Sequence, residues 1–322
     1  MPARNLLKNV HWAIFLCVCT LAPCVAFPSA QNPPSDSNQV SEHLKSGDAF
    51  LKKSDWDSAL REYREAAQLD PENVQAHGGL GRALGEKDDY DGALREFQEA
   101  VRLNPNYAEA HNGIGWILGL KGDVDGAMKE YREAIRLKPD YARAHSNLGW
   151  AFTEKEDWDN AVREYRESVR LKPDDTDAHD GLAWSLSQKG DWPSALREYR
   201  EAILLKPNDL DPHLALGGAY MTQGDFDSAL REYREAVRVK PDSAQAHTSV
   251  GAALGKKGDW KAAAAENREA VRLDPNYADG HAYIAFALGH IGDWDGEIRE
   301  AREAVRLQPS RALAHYNLAR GL

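Results

Sequence analysis

Eight prolines recur at intervals of 34 residues, and this spacing constrains the fold more than any other feature of the sequence. They are Pro71, Pro105, Pro139, Pro173, Pro207, Pro241, Pro275 and Pro309. Nine histidines keep the same interval: His43, His77, His111, His145, His179, His213, His247, His281 and His315. Self-similarity of this kind is typical of a solenoid, in which each unit buries its apolar face only against its neighbours. A chain of 322 residues is also long for a single ordinary core.

Residues 74–107 show how one unit is built. Leu80 and Leu84 are four residues apart, which places them on one face of a helix. A polar stretch follows, and Asp89 is suited to cap a second helix by accepting hydrogen bonds from its free backbone N–H groups. Pro105 cannot continue that helix and forces the turn into the next unit. Each unit is therefore predicted to be a pair of antiparallel helices.

The turn inside the unit has its own signal. Most units place a glycine before the capping aspartate, as in Gly122-Asp123 and Gly190-Asp191, and glycine readily adopts the left-handed conformation that closes a helix. The capping aspartates are Asp55, Asp89, Asp123, Asp157, Asp191, Asp225, Asp259 and Asp293. The sequence thus predicts the same helix–turn–helix unit eight times.

The pattern resembles the tetratricopeptide repeat (TPR), with Leu-Gly in the first helix, small and aromatic residues in the second, and then proline. The resemblance covers residues 40–311 as eight units, with residues 312–322 as a partial ninth unit, a capping helix. The units are 40–73, 74–107, 108–141, 142–175, 176–209, 210–243, 244–277 and 278–311. It implies an all-α superhelical solenoid of antiparallel helix pairs that acts as a scaffold for protein–protein interaction and needs no cofactor.

Three departures from the repeat occur near the C-terminus. Asn267 and Ala301 replace the aromatic residue of the second helix, and Glu297 replaces a small alanine. We therefore expect the packing to loosen toward the C-terminal end.

The first residues have the order of a secretory signal peptide. Arg4 and Lys8 precede an apolar run, Trp12–Ala22, and Cys24-Val25-Ala26 offers small residues for cleavage. Residues 1–26 are predicted to be this signal, with an uncleaved anchor or a lipidated cysteine as alternatives, and residues 27–39 a flexible linker. All three cysteines lie in residues 1–26, so the mature chain would contain none. We expect an exported protein, periplasmic or secreted, or membrane-anchored if the segment is retained, with no membrane span after signal removal.

Several classes of function are disfavoured. A net charge of −11 argues against a nucleic-acid binder, which needs a basic face. Histidines at a fixed interval suggest a row of metal sites. Packed helices, however, lie roughly 8–10 Å apart, which is too far for consecutive imidazole rings to bind the same ion. We expect these histidines to pack on the buried face of each first helix. Every candidate nucleophile or base is explained by the repeat, so the chain is predicted not to be an enzyme.

Three tryptophans stand out from the repeat: Trp116, Trp150 and Trp184 occupy the ninth position of consecutive units. That position lies away from the packing face of its own helix, on the stripe that in the TPR family lines the concave groove. Exposed indoles in a row usually indicate a binding surface. The alternative is that the indoles pack on neighbouring first helices.

The predicted groove around these indoles is mainly acidic and polar. Its other residues are Glu109, Asn112, Arg143, Asp177, Asp180 and Asp211. Such a groove would complement an extended peptide or protein segment with apolar side chains and some basic residues. A glycan is the alternative ligand, because indole faces stack on sugar rings and acids bind hydroxyls. We expect a monomeric scaffold with neither a metal nor a cofactor.

Overall fold

The computed structural model describes residues 37–322 and contains 17 helices in that range. The predicted signal, residues 1–26, and most of the predicted linker lie outside the described residues. The helices are α1 (Ser37–Leu51), α2 (Trp56–Leu69), α3 (Val74–Gly85), α4 (Tyr90–Leu103), α5 (Ala108–Leu120), α6 (Val124–Leu137), α7 (Ala142–Glu154), α8 (Trp158–Leu171), α9 (Thr176–Gln188), α10 (Trp192–Leu205), α11 (Leu210–Gln223), α12 (Phe226–Val239), α13 (Ala244–Lys256), α14 (Trp260–Leu273), α15 (Ala278–His290), α16 (Trp294–Leu307) and α17 (Ala312–Gly321). Because α1 begins at Ser37, the last three residues of the predicted linker are helical.

The helices pack as antiparallel pairs, and each pair packs on the next, which confirms the predicted all-α solenoid. Odd-numbered helices are the first and even-numbered helices the second of each unit, and α17 is the additional helix at the C-terminal end. Among residues 37–322, none of the helices is both long enough and apolar enough to span a bilayer.

Aromatic side chains of the second helices fill the space between units. Tyr63 of α2 is only 1% exposed and lies against Gly47 of α1 and Gly79 of α3. A Cβ atom at Gly47 would come within 2.7 Å of the ring, and one at Gly79 would come closer still. Phe97 of α4 makes the same approach to Gly81 of its own unit. The glycines are therefore needed so that a large ring can join two units.

Every predicted capping aspartate accepts a hydrogen bond from a backbone N–H of the second helix that follows it. The bonds join Asp55 to Ser58, Asp89 to Gly92, Asp123 to Gly126, Asp157 to Asn160, Asp191 to Ser194, Asp225 to Ser228, Asp259 to Ala262 and Asp293 to Gly296. The residue before the cap is left-handed in each unit. Glycine holds this place in five units, but Ser54, Asp88 and Glu156 hold it in the others with φ of 56 to 62°.

Replacing Glu156 with glycine is expected to stabilise the protein by about 1 kcal/mol, because a residue with a Cβ atom pays a steric cost in this conformation. Glu156 has φ of 56°, whereas Gly190 occupies the equivalent place one unit later with φ of 80°. Urea unfolding measures the change. Gly190→Glu is the matched control and should lower the free energy of unfolding by a similar amount; a loss of stability in Glu156→Gly would contradict the prediction.

An ion pair that the sequence did not indicate joins the C-terminal helices. Glu297, which stands where other units have alanine, is completely buried and pairs with Arg320 of α17. Asn267 and Ala301 are also buried. The helices at this end therefore remain packed, and the predicted loosening is not seen in the helix contacts.

Candidate partner-binding groove

A concave groove of about 910 Å³ runs along the first helices of the N-terminal units. Residues of α1, α3, α5, α7 and α9 line it, together with aromatic rings that reach in from the second helices. Of the predicted site residues, the groove contains Trp116, Trp150, Glu109, Asn112, Arg143 and Asp177. The structure thus brings six of the nine predicted residues into one cavity, while Trp184, Asp180 and Asp211 do not line it.

Trp116 and Trp150 are partly buried because each indole lies on a glycine of the preceding first helix. A Cβ atom at Gly85 would come within 2.5 Å of the Trp116 ring, and one at Gly119 within 2.8 Å of the Trp150 ring. The two indoles therefore pack on neighbouring helices and also line the groove. The packing on neighbouring first helices is therefore observed for both indoles, and their role in binding a partner stays a prediction.

Trp184 differs from the other two tryptophans. The place that Gly85 and Gly119 hold in earlier units is taken by Thr153, whose side chain leaves no glycine surface for an indole. Trp184 is 50% exposed. An apolar ring of that size left in solvent is a candidate contact for a partner.

Several polar residues of the groove already have partners within the chain. Lys138 donates to Glu109 across 2.9 Å, and Asn147 donates to Asn112 across 2.9 Å. Lys206 lies 3.7 Å from Asp177. The groove is therefore less acidic than the sequence suggested, because lysines from the inter-unit turns neutralise part of its charge.

Sequence reasoning missed the tyrosines that complete the groove. Tyr107 and Tyr141 lie in the turns before α5 and α7, two residues after the repeated proline, and both line the cavity. Tyr63 reaches it from α2 and donates from its hydroxyl to Asp48 across 2.6 Å. Burial raises the pKa of Tyr107 to about 12. The Pro-Asn-Tyr and Pro-Asp-Tyr sequences were the available signal.

Free cations also line this part of the groove. Arg82 and Arg143 are exposed, and among the described residues neither forms an ion pair. The groove of the first five units therefore presents aromatic rings, amide groups, two guanidinium groups and carboxylates such as that of Glu86.

Asp180, on α9, lies beyond this cavity in a more acidic environment. It is partly buried, and its Oδ1 atom accepts no hydrogen bond from any residue that the structure describes. Burial, and then the charges of Asp177, Asp209 and Asp211, raise the pKa of Asp180 to about 6, and Lys206 only partly opposes them. The negative charge that the sequence predicted for the groove is thus concentrated around α9 and α11.

The repeated histidines join the two helices of each unit. In eight units the Nδ1 atom lies 2.7 to 3.1 Å from the Oε2 atom of a glutamate 19 residues later in the chain. The glutamates are Glu62, Glu96, Glu130, Glu164, Glu198, Glu232, Glu266 and Glu300. In six of these units the Nε2 atom also lies 3.1 to 3.2 Å from the carbonyl oxygen of the repeated proline. Within residues 37–322, no three His, Cys, Asp or Glu side chains are arranged to hold a metal ion.

Two repeat-family models match the chain. One, described as a tetratricopeptide repeat, matches residues 79–142, 121–176 and 214–278, and another, described as a TPR repeat, matches residues 47–88 and 185–224. The fold and the matches define a helical repeat scaffold of the class that generally mediates protein–protein interactions. The chain belongs to the tetratricopeptide repeat family, whose repeats are usually non-catalytic, and neither matching model describes a catalytic family.

Solved structures with the same fold include "Crystal structure of APC/C hetero-tetramer Cut9-Hcn1", with a TM-score of 0.64 and 18% sequence identity. The alignment covers 89% of this chain but only 57% of that chain. Two structures of MamA are 23% identical, with TM-scores of 0.42 and 0.46; the alignments cover 53% and 50% of this chain and 94% and 95% of theirs. No curated protein sequence matches the chain.

Proposed function

We propose that this protein is an exported, non-catalytic adaptor whose concave groove holds an extended segment of a partner protein. The observation that supports this most directly is the cavity of about 910 Å³ in which Trp116 and Trp150 lie on consecutive units. A cleft of this size, lined by rigid aromatic rings and a few polar groups, suits a peptide of several residues. The partner segment would carry apolar side chains for the rings and some basic residues.

Export is part of the proposal. It is supported by Arg4 and Lys8, the apolar run Trp12–Ala22 and the small residues that follow it. The mature protein would work as a monomer in the periplasm or the secreted space, or at a membrane surface if the segment is retained. Mass spectrometry of the mature N-terminus tests cleavage: loss of about 26 residues is expected, and an intact Met1 in a membrane fraction would contradict it.

Trp150→Ala is expected to weaken peptide binding at least about tenfold, because it removes a packed aromatic contact at the middle of the groove. The measurement is an array of random 12-residue peptides, followed by fluorescence anisotropy on the peptides that bind wild type. Trp294→Ala is the control, since Trp294 is a solvent-accessible tryptophan, 50% exposed, that lies at the start of α16 outside the groove. Peptide binding that is unchanged in folded Trp150→Ala would overturn the groove proposal.

A glycan array run with the same variants addresses the alternative ligand. Indole faces also stack on sugar rings, so Trp150→Ala would lower glycan binding if the groove held a saccharide. Glycan binding that depends on Trp150, without any peptide binding, would replace the proposed peptide ligand with a glycan.

A further inference from the structure

The acidic residues along the groove differ in whether they have partners. Glu109 pairs with Lys138, and Asp175 lies 3.1 Å from Lys172. Asp180 and Asp211, on α9 and α11, form no ion pair among the described residues. Among the described residues, Glu86 inside the aromatic cavity is also without an ion pair, so Asp180 and Asp211 continue the unpaired negative charge beyond the end of the cavity.

Asp180 and Trp184 lie four residues apart on α9, which places them on the same face of the helix. The Oδ1 atom of Asp180 is buried without a hydrogen-bond donor. Trp184 is 50% exposed, and Thr153 occupies the place of the glycines on which the other two indoles pack. A buried carboxylate oxygen without a hydrogen-bond donor and a solvent-exposed indole both raise the free energy of the unliganded protein. A ligand that donates to the carboxylate and covers the ring would remove both costs.

We propose that Trp184 and Asp180 form a subsite for a cationic side chain, lysine or arginine, of the partner segment held in the groove. This inference rests on the proposed function and adds the position of the partner's charge. The ammonium or guanidinium group would pair with the Asp180 carboxylate, and the indole would contribute a cation–π contact. The apolar stem of the same side chain would cover the exposed ring.

The charges on the two sides of this subsite favour that placement. In the aromatic cavity Arg82 and Arg143 offset the carboxylates of Asp48 and Glu86. Around Asp180, in contrast, Asp177, Asp209 and Asp211 outnumber Lys206 and attract a cation to α9. The groups that face Asp180 are these three aspartates, Lys206 and the hydroxyl of Tyr199 on α10. Lys206 is the one cation among them, and it is shared between Asp177 at 3.7 Å and Asp209 at 3.9 Å. The subsite keeps a net negative charge.

Binding at this subsite should depend on pH in one direction. With its pKa raised to about 6, Asp180 is ionised at pH 7.5 and largely protonated at pH 5. A cation attracts only the ionised form, so affinity for a cationic segment falls as the pH is lowered through that value. By linkage, binding of the cation at pH 6 also releases a proton from Asp180.

The test uses 12-residue peptides that bind wild type and depend on Trp150. Each lysine or arginine of such a peptide is replaced by norleucine, and one of these replacements should cost about tenfold in affinity at pH 7.5. In Asp180→Asn the same replacement should cost almost nothing, and the affinity should no longer change between pH 7.5 and 5. Calorimetry at pH 6 in buffers of different ionisation enthalpy should detect proton release in wild type alone.

Asp242→Asn is the matched control, because it removes one negative charge at an exposed turn outside the groove. It should leave the penalty for the lysine-to-norleucine replacement unchanged. If peptides depend on Trp150 but respond equally in wild type and Asp180→Asn, the cation subsite is wrong and the groove function stands.

A second measurement decides the question if no array peptide depends on Trp150. Nα-acetyl-lysine-N-methylamide is titrated while the indole N–H resonances are followed, with the norleucine analogue as the uncharged probe. The structure requires that the lysine compound shift the Trp184 resonance in wild type and not in Asp180→Asn. No difference between the two probes would overturn the subsite.

Discussion

Replacing Glu198 with alanine is expected to lower the free energy of unfolding by about 3 kcal/mol, because it leaves a buried imidazole without its acidic partner. The Nδ1 atom of His179 lies 2.9 Å from Oε2 of Glu198, and its Nε2 atom lies 3.1 Å from the carbonyl oxygen of Pro173. The His179 and Glu198 side chains are 7% and 11% exposed. Only the doubly protonated ring can donate to both acceptors, so the pair connects α9, α10 and the preceding turn.

Urea unfolding and hydrogen exchange of the α9 and α10 amides measure this effect, since a solenoid unfolds locally when one unit is weakened. Glu62→Ala is the matched control. The His43 and Glu62 side chains are 31% and 19% exposed, and Ser37 stands where later units have the proline carbonyl. The control should therefore cost less than about 1 kcal/mol. Equal losses in the two variants would show that burial and the second hydrogen bond contribute nothing.

The same contacts fix the sign of the pH dependence. The hydrogen bond to Glu198 raises the pKa of His179 against the opposing effect of burial, and Glu300 acts likewise on His281. A histidine whose pKa is higher in the folded state stabilises the fold fully below its unfolded pKa of about 6.5, and the contribution is lost as the pH rises through the folded value. Stability should fall as the pH rises above about 6.5, less so in Glu198→Gln, and a rise in stability would contradict the assignment.

The fold was predictable because its determinants are local and repeated. A capping aspartate such as Asp157 acts on residues three positions away, and a proline such as Pro173 ends the helix that precedes it. The residues that determine each helix pair therefore lie within one 34-residue unit. Eight repetitions of one pattern leave little room for another architecture. Glu156 is left-handed because of its position before the capping aspartate, although its residue type does not favour that conformation.

The candidate site was less predictable because it depends on contacts between units. Trp150 and Trp184 occupy the same repeat position, yet Trp150 packs on Gly119, whereas Trp184, with Thr153 at the equivalent place, is 50% exposed. Each tryptophan and the residue at the place of this glycine are 31 positions apart. Helical periodicity relates residues within one helix, so it cannot predict this difference. The neutralisation of Glu109 by Lys138 is likewise a contact across 29 residues. The repeat position of each residue predicted which side chains face the groove. Contacts between units determine which of the charged side chains have no partner.

Arg320→Ala is expected to destabilise the C-terminal end by about 3–5 kcal/mol, because it strands a buried carboxylate. Glu297 is 0% exposed, and its Oε1 atom accepts from Nε of Arg320 at 2.8 Å, with Nη2 at 2.6 Å. Within residues 37–322 the Oε2 atom has no hydrogen-bond partner, so in this part of the chain Arg320 is the one group that compensates for burying the charge. Nη2 also donates to the carbonyl oxygen of Phe286 at 3.2 Å, which joins α17 to α15.

Hydrogen exchange of the α16 and α17 amides should show the loss as faster exchange confined to these helices, with α1–α9 unchanged. The double variant Glu297→Ala/Arg320→Ala is the decisive control. It restores the alanine that earlier units carry at this position, such as Ala195 and Ala229, and removes both charges together. Since an apolar replacement of a buried ion pair is often neutral, the double variant should recover most of the stability lost in Arg320→Ala. If it is as unstable as the single variant, the packing of the Arg320 side chain on Phe286, rather than the charge of Glu297, holds the terminal helix.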